Sequence, residues 1–487
     1  METLKRLFII AAILIPVLLL SQALDLTAVK AEVDFSDHVR EWDGFGFNYV
    51  EVSQTEDYSE WPQEYGGFSL LTENERQKIC DMVFGKAGLK PGVVKMFLGP
   101  WHQKHPDGKF DHEKTTKWMR YFVKEGLKRT KNRGADLSIV TTLYGPPPWA
   151  TKQKILRGAY LDPQRKKDLA EYIIDWVKWL RERDYPVDYI SLHNEGEDWT
   201  RWPAHAEHGN IGEGHDYNLY WPPEQVVDFL QFMPAMLEQE GLGDIGIGPG
   251  ETTYWLRFHD WGYANAIAKD EKALENLGLL TSHGFYSGSQ GRWFGNHRSA
   301  GQDLIREKRP DIHAWTNSMS WGEMDANFLF TIHTAIYSTK VNAITPWAGI
   351  QRPKQWVGGD PNPGCAFQID EEGNYKVRRG YYYYKQVCRA GQPGMAVART
   401  ICSGPQVSVI GFARNETDNP DAFVVINIAE EDKKVAIDLK GTESKSFQAF
   451  RTTDEEERYN RIGDFNSKQD RIIYTAPARS ATTFYGK

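Results

Sequence analysis

Residues Val187-Asp188-Tyr189-Ile190-Ser191-Leu192-His193 form a short apolar run that passes directly into Asn194-Glu195. A stretch with helical periodicity, Gln164 to Arg183, precedes it, and another, Pro223 to Leu237, follows. A strand flanked by amphipathic helices is one unit of a parallel β/α chain, and here the unit recurs. Strands are predicted near Gly44 to Val50, Val93 to Leu98, Leu137 to Leu143, Val187 to His193, Ile245 to Gly248, Leu279 to Phe285, His313 to Asn317 and Val341 to Trp347. The paired helices are Thr72 to Phe84, Lys114 to Lys131, Gln164 to Arg183, Pro223 to Leu237, His259 to Ala268, Ala300 to Arg306, Asn327 to Ser338 and Val377 to Arg389. Thr72 with Glu75 has the spacing of a capping box. Eight pairs over roughly 340 residues predict an α/β fold, a (β/α)8 TIM barrel with enlarged loops spanning residues 40–390, rather than an open doubly wound sheet. No GxGxxG fingerprint follows the first strand.

From about Met395 the periodicity changes to two, as in Gln406-Val407-Ser408-Val409-Ile410 and Ala422-Phe423-Val424-Val425-Ile426-Asn427. Residues 391–487 are therefore expected to form a β-sandwich side domain, which a strand from residues 27–39 would tie to the barrel. At the other end, Lys5 and Arg6 precede an apolar run from Leu7 to Leu20, and Ser21-Gln22-Ala23 stand where a signal peptidase cuts. The run is shorter than the ~20 residues needed to span a bilayer. Residues 1–23 are read as a signal peptide, which implies a secreted or periplasmic protein with no stable membrane association after cleavage. The four cysteines, Cys80, Cys365, Cys388 and Cys402, show no zinc-type spacing, and no disulfide pairing follows from them.

The chain of 487 residues is 40% hydrophobic and 25% charged, which excludes disorder and a polytopic membrane protein. Its net charge of -8 offers a phosphate backbone no attraction, so nucleic acid is excluded as an expected partner. Aromatic residues make up 13% of the chain, enough to supply flat faces for stacking on sugar rings as well as a large core.

Reactive groups of such barrels occupy the C-terminal ends of the strands. The fourth strand ends on Asn194-Glu195, and the seventh, Ala314-Trp315-Thr316-Asn317, leads to Trp321-Gly322-Glu323. Two carboxylates across a sugar cleft are what glycosidic cleavage requires, one to protonate the leaving oxygen and the other to attack or to activate water. No cofactor or metal is expected; His205 and His208 are spaced HxxH, but no third ligand follows.

These elements resemble the clan A glycoside hydrolases, family 30 most of all. The resemblance rests on His193-Asn194-Glu195, Trp321-Gly322-Glu323, Gly145-Pro146-Pro147-Pro148-Trp149, which is similar to that family's SPPxWM turn, and Gly44-Phe45-Gly46-Phe47-Asn48, similar to its first-strand GFG. It implies Glu195 as general acid/base, Glu323 as nucleophile and Asn194 as partner of the substrate's 2-hydroxyl, with retention through a covalent intermediate at a carboxylate separation of ~5 to 5.5 Å. It also implies that His283 or Tyr286 orients the nucleophile, that Trp347 floors the subsite beside the cut bond and that Trp149 walls it; Trp321, beside Glu323 in its motif, is a further expected substrate-binding residue. The chain departs from the family in lacking the full GFGGxxTD pattern and in carrying Lys95 where many members have arginine.

Cations and aromatics mingle in the loops at this face: Trp101 to His105, Arg201-Trp202, Arg257, Arg292-Trp293, His297-Arg298 and Arg352-Pro353-Lys354-Gln355-Trp356. Arg292 and Arg352 are read as binding an anionic glycan that bears uronic acids or sulfate, the alternative being solvated loop charge. The expected activity is hydrolysis of a polysaccharide or oligosaccharide. The competing readings are a noncatalytic carbohydrate-binding protein and a transglycosylase using the same site.

Overall fold

The computed structural model describes residues 28–52, 64–156, 158, 160–197, 219–285, 299–352 and 364–487. The signal peptide read from residues 1–23 lies outside these, as do Tyr286 and Arg292.

The described chain enters through strand β1 (Val29–Glu41) and then alternates between short strands and helices. Strands β2 (Gly44–Phe45), β3 (Val93–Leu98), β4 (Ser138–Leu143), β5 (Val187–Ser191), β6 (Gly246–Gly248), β7 (Leu280–Ser282), β8 (Ala314–Ser320) and β9 (Ala343–Trp347) form two parallel four-stranded sheets, ordered β3-β4-β5-β6 and β2-β9-β8-β7. Isolated parallel bridges, Gly46 with Val93 and Thr252 with Ser282, join the sheets at both seams. Eight parallel strands thus follow one another in chain order around a ring. Such strands are covered on both faces, which is why β3 reads Val-Val-Lys-Met-Phe-Leu and is buried throughout.

Inward-facing side chains at the floor of the ring are Val93, Val140, Leu279, Trp315 and Ala343, with Tyr189 against them. Two residues further along their strands, Lys95, Thr142, Thr281, Asn317 and Thr345 make the next level polar, and all five are buried. An apolar floor under a polar level places the reactive groups toward the C-terminal end of the strands.

Outside the ring run helices Glu73–Phe84, Lys117–Asn132, Lys166–Arg181, Pro223–Gln239, Ala300–Arg306, Ala326–Tyr337 and Arg379–Ala390. Thr72 and Glu75 close the capping box reciprocally. Helix Lys117–Asn132 lacks a side-chain cap of its own; instead Oε2 of Glu51, beyond the end of β2, accepts from the amides of Trp118 and Met119 at 2.6 and 2.8 Å. Between β6 and β7, where one helix over His259 to Ala268 was expected, there are three: Trp255–Asp260, Tyr263–Lys269 and Glu271–Asn276. Gly262, at φ 88°, turns the chain between the first two, and the Asp270 side chain caps the third.

The C-terminal strands are β13 (Ala396–Cys402), β14 (Val407–Ala413), β15 (Ala422–Asn427), β16 (Lys433–Lys440), β17 (Ser446–Thr453), β18 (Arg458–Asn466), β19 (Arg471–Ala476) and β20 (Ser480–Gly486), after a small sheet of β10 (Ile350–Gln351), β11 (Phe367–Ile369) and β12 (Tyr375–Val377). Together with β1 they make a nine-stranded sheet, ordered β18-β17-β20-β15-β14-β13-β1-β16-β19. Strand β1 lies antiparallel to β13 and parallel to β16, so the start of the described chain sits inside this sheet. Val33, Phe35, Val409, Phe423, Ile437 and Phe484 belong to its own core. Ile410, Phe412, Val424 and Ile426 join the core of the ring and its helices. The contact is also polar: the Tyr337 hydroxyl donates to the carbonyl of Ala398 and accepts from the amide of Gly411. All four cysteines are free thiols.

Candidate active site

Glu195 and Glu251 leave adjacent strands of the ring and continue their ladder. The amide of Glu251 donates to the carbonyl of His193 at 2.7 Å, and that of Glu195 to the carbonyl of Glu251 at 2.8 Å. Glu195 is in the left-handed region at φ 46°, uncommon for a residue with a side chain and frequent where a site holds the backbone in one pose. Gly250, at φ 106°, leaves room for the His193 ring: a Cβ there would lie 2.1 Å from Cδ2 of His193. His193 Nδ1 accepts from the amide of Gly196 at 3.0 Å, and burial pushes its pKa down to about 3, so the ring is neutral.

His283, just past β7, joins the two carboxylates. Its Nδ1 lies 2.8 Å from Oε1 of Glu195, and its Nε2 lies 3.1 Å from Oε2 of Glu251. Oε2 of Glu251 also accepts from Nζ of Lys95 at 2.5 Å, while Oε1 accepts from the Thr142 hydroxyl at 2.8 Å and from Nδ2 of Asn317 at 3.4 Å. Lys95 further donates to Oγ of Ser318 at 2.9 Å. Burial alone would raise the pKa of Glu251, but the Lys95 ammonium and the His283 bond outweigh it and hold the carboxyl well below its ordinary range. Glu197, beyond Glu195, is fixed by the amide of Thr253 at 2.7 Å and by Nη1 of Arg257 at 3.0 Å. Burial, with the charge of Glu195, moves its carboxyl upward despite those bonds.

The sequence-predicted residues separate into two groups. Asn194, Glu195 and His283 come together, with Asn194 in a parallel bridge to Glu251. Trp347 forms an aromatic patch, its ring parallel to Tyr144 at 6.3 Å and edge-on to Phe97 at 5.6 Å. Trp149 is buried, its indole N–H donating to the carbonyl of Gln103 at 3.1 Å.

Trp321 and Glu323, by contrast, turn away from this group. The pairing of β8 with β9 slips between Asn317 and Met319, leaving Ser318 as an extra residue at φ 81°. A one-residue slip exchanges the two faces of everything beyond it. Asn317 faces Glu251, but Trp321 packs outward on Phe47 and Tyr384, at 6.0 and 5.2 Å. The Glu323 side chain is 69% exposed, and its ion pair among the described residues is with Arg378 at 3.8 Å. Arg352 is buried and ion-paired with Glu371 at 3.0 Å.

Lys95, Glu251, Thr142 and Asn317 were missed as site residues. A signal for Glu251 was present, since Ile245-Gly246-Ile247-Gly248-Pro249-Gly250-Glu251 ends a ring strand in an acid just as β5 does. Asn48 was read only as part of a motif, yet its Oδ1 and Nδ2 are both buried with no partner among the described residues, as is Oδ1 of Asn317. No cluster of three or more metal-ligating side chains occurs among the described residues, and none of their helices is long and apolar enough to cross a membrane.

No protein-family model and no curated protein matches the chain in sequence. Solved structures match it in fold. An endoxylanase of glycoside hydrolase family 30 from Clostridium papyrosolvens superposes with a TM-score of 0.66 at 15% identity, covering 94% of this chain and 100% of that one. An endo-β-1,6-glucanase gives 0.66 at 15% identity, covering 94% of each chain. A conserved exported protein from Bacteroides fragilis gives 0.72 at 14% identity, covering 93% of this chain and 99% of the other. The likeness to family 30 is one of fold and implies a (β/α)8 barrel with a β-rich side domain.

Proposed function

We propose that this protein hydrolyses O-glycosidic bonds of a polysaccharide or oligosaccharide at the C-terminal mouth of the ring, with Glu195 as general acid and base. The observation that carries the reading is the buried Glu195 carboxyl group, just past β5, 2.8 Å from Nδ1 of His283, just past β7, an acid/base pair at the C-terminal ends of ring strands, where such folds keep their chemistry. The fold shared with xylanases and a glucanase supports the same class.

Double displacement with retention needs a second carboxylate that can approach the anomeric carbon. Glu323 remains the proposed nucleophile because it is accessible, on the turn after β8, and loosely held by Arg378. Glu251 suits attack poorly, since it is fully buried and accepts from four donors. Reaching the ~5 to 5.5 Å separation of retaining pairs requires Glu323 to swing from Arg378 toward Glu195. An anionic glycan stays the proposed substrate class. Because Arg352 and Arg257 are neutralised by Glu371 and Glu197, its recognition falls to Arg201, Arg292, Arg298 and Lys354, outside the described residues. Export is proposed from the leader-like residues 1–23 and from the likeness to a conserved exported protein.

The exposure of Glu323 also favours a second reading, a carbohydrate-binding protein without turnover. The deciding experiment offers the purified protein neutral, uronic-acid-bearing and sulfated glycans, reads released sugars by chromatography and follows the product anomer by NMR. Release with retained configuration, abolished in E323Q, is expected; an E195Q variant should lose natural glycans while sparing activated aryl glycosides. Wild-type rates in E323Q would remove it as nucleophile. Binding without release would establish the second reading, and larger products in the presence of acceptor sugars would indicate transglycosylation.

A further inference from the structure

The chain of contacts Lys95–Glu251–His283–Glu195 holds more groups than the proposed reaction uses, and a proton count shows what the rest do. Glu251, ion-paired with Lys95 at 2.5 Å, also receives bonds from Thr142 and Asn317, so it faces the imidazole as an acceptor. Nε2 of His283, 3.1 Å from Glu251, must therefore carry a hydrogen. A neutral imidazole has one N–H, so Nδ1 is then an acceptor, and the 2.8 Å contact to Oε1 of Glu195 needs a hydrogen from the carboxyl group. If His283 is instead protonated on both nitrogens, Glu195 is a carboxylate. Either way the contact holds one proton.

We propose that Glu251 is a positioning residue that fixes the Nε2–H tautomer of His283, so that Glu195 and His283 share a single proton across their contact. The inference rests on the reading of Glu195 as acid and base. With the proton on Glu195, the carboxyl can give it to the departing glycosidic oxygen as that C–O bond breaks. The pair is then empty, and the proton taken from the attacking water refills it, so the cycle closes without a flip of the ring. Among the described residues, the other titratable groups facing the pair are His193, held neutral by the Gly196 amide and by burial, and Glu197, held by Thr253 and Arg257. For His283 itself, burial opposes the cation, but the bonds to both carboxylates outweigh it and raise the pKa, in line with a ring able to take the shared proton.

The test is nitrogen-15 NMR of the histidine side chains in the full-length wild type, with His283 assigned by its loss in H283Q. The expected result is an Nε2 that stays protonated across the titration while Nδ1 alone changes. A neutral ring protonated on Nδ1, or one averaging both tautomers, would overturn the proposal. In E251Q the amide can donate to Nε2, and the ring should move to the Nδ1–H form. The kinetic arm compares kcat/KM of E251Q, which reports the first bond cleavage, on the cleaved glycan and on a 2,4-dinitrophenyl glycoside of the released sugar, whose leaving group needs no acid. A loss on the glycan at least ~10-fold larger is expected; equal losses would indicate a merely structural residue. If E251Q does not fold, the wild-type spectrum decides alone. If the wild type cleaves no glycan, the functional reading falls while the spectrum still decides the tautomer.

Discussion

Replacing Lys95 with Met should destabilise the fold by about 3–5 kcal/mol, the loss found when one partner of a buried ion pair is removed. Both side chains are fully buried and Nζ lies 2.5 Å from Oε2 of Glu251. At an effective dielectric of about 20, opposite charges at that distance attract by roughly 6 to 7 kcal/mol. Met also relieves the burial of an ammonium, which brings the net loss into the lower range. The three remaining donors to Glu251, from His283, Thr142 and Asn317, favour the low end of that range. The assay is denaturant unfolding at pH 7 of wild type, K95M, E251Q and the double variant, treated as a double-mutant cycle. The double variant should recover much of the loss, because neither charge is then left alone. The pH dependence has a definite sign. The carboxyl of Glu251 lies below its unfolded value in the wild type, so its contribution is present above that value and is lost as pH falls. K95M lacks that contribution, and the gap between the two proteins should narrow on acidification. A K95M loss below about 1 kcal/mol, or additivity across the cycle, would refute a dry, mutually dependent pair.

Burial raises the carboxyl of Glu51 to about 7, so its contribution to stability is full below the unfolded value and is lost as pH rises through 7. E51Q should retain an acceptor for the Trp118 and Met119 amides while removing up to about 3 kcal/mol of the decline in stability between pH 4.5 and pH 8; parallel wild-type and E51Q stability curves over that range would refute this. G250A forces a Cβ against His193 at a backbone angle that side chains rarely adopt, and should cost more than ~2 kcal/mol in thermal unfolding. T72A removes one arm of the capping box and should cost about 1 kcal/mol, with no cost expected if helix Glu73–Phe84 is held by packing alone.

Much of the fold was legible because it is written in local periodicity. Each ring strand is a short apolar run and each crossover an amphipathic helix, patterns that depend on residues only a few positions apart. The same locality brought out Asn194, Glu195 and His283, because the end of a strand is also the place where ring residues converge. The expectation for Trp321 and Glu323 missed the bulge at Ser318. Strict alternation from Asn317 would have turned both inward, and nothing in Asn317-Ser318-Met319 announces the extra residue.

The repeating β/α units, the later change to period-two strands and the acid at the end of β5 can all be read along the chain, since local chain geometry dictates each of them. The meeting of Lys95, from β3, with Glu251, beyond β6, and the place of His283, beyond β7, between that carboxylate and Glu195 emerge from long-range packing alone. Those four residues span 189 positions of the chain, from 95 to 283. What unites them is closure of the ring, which buries their charges together and leaves each to be neutralised by another.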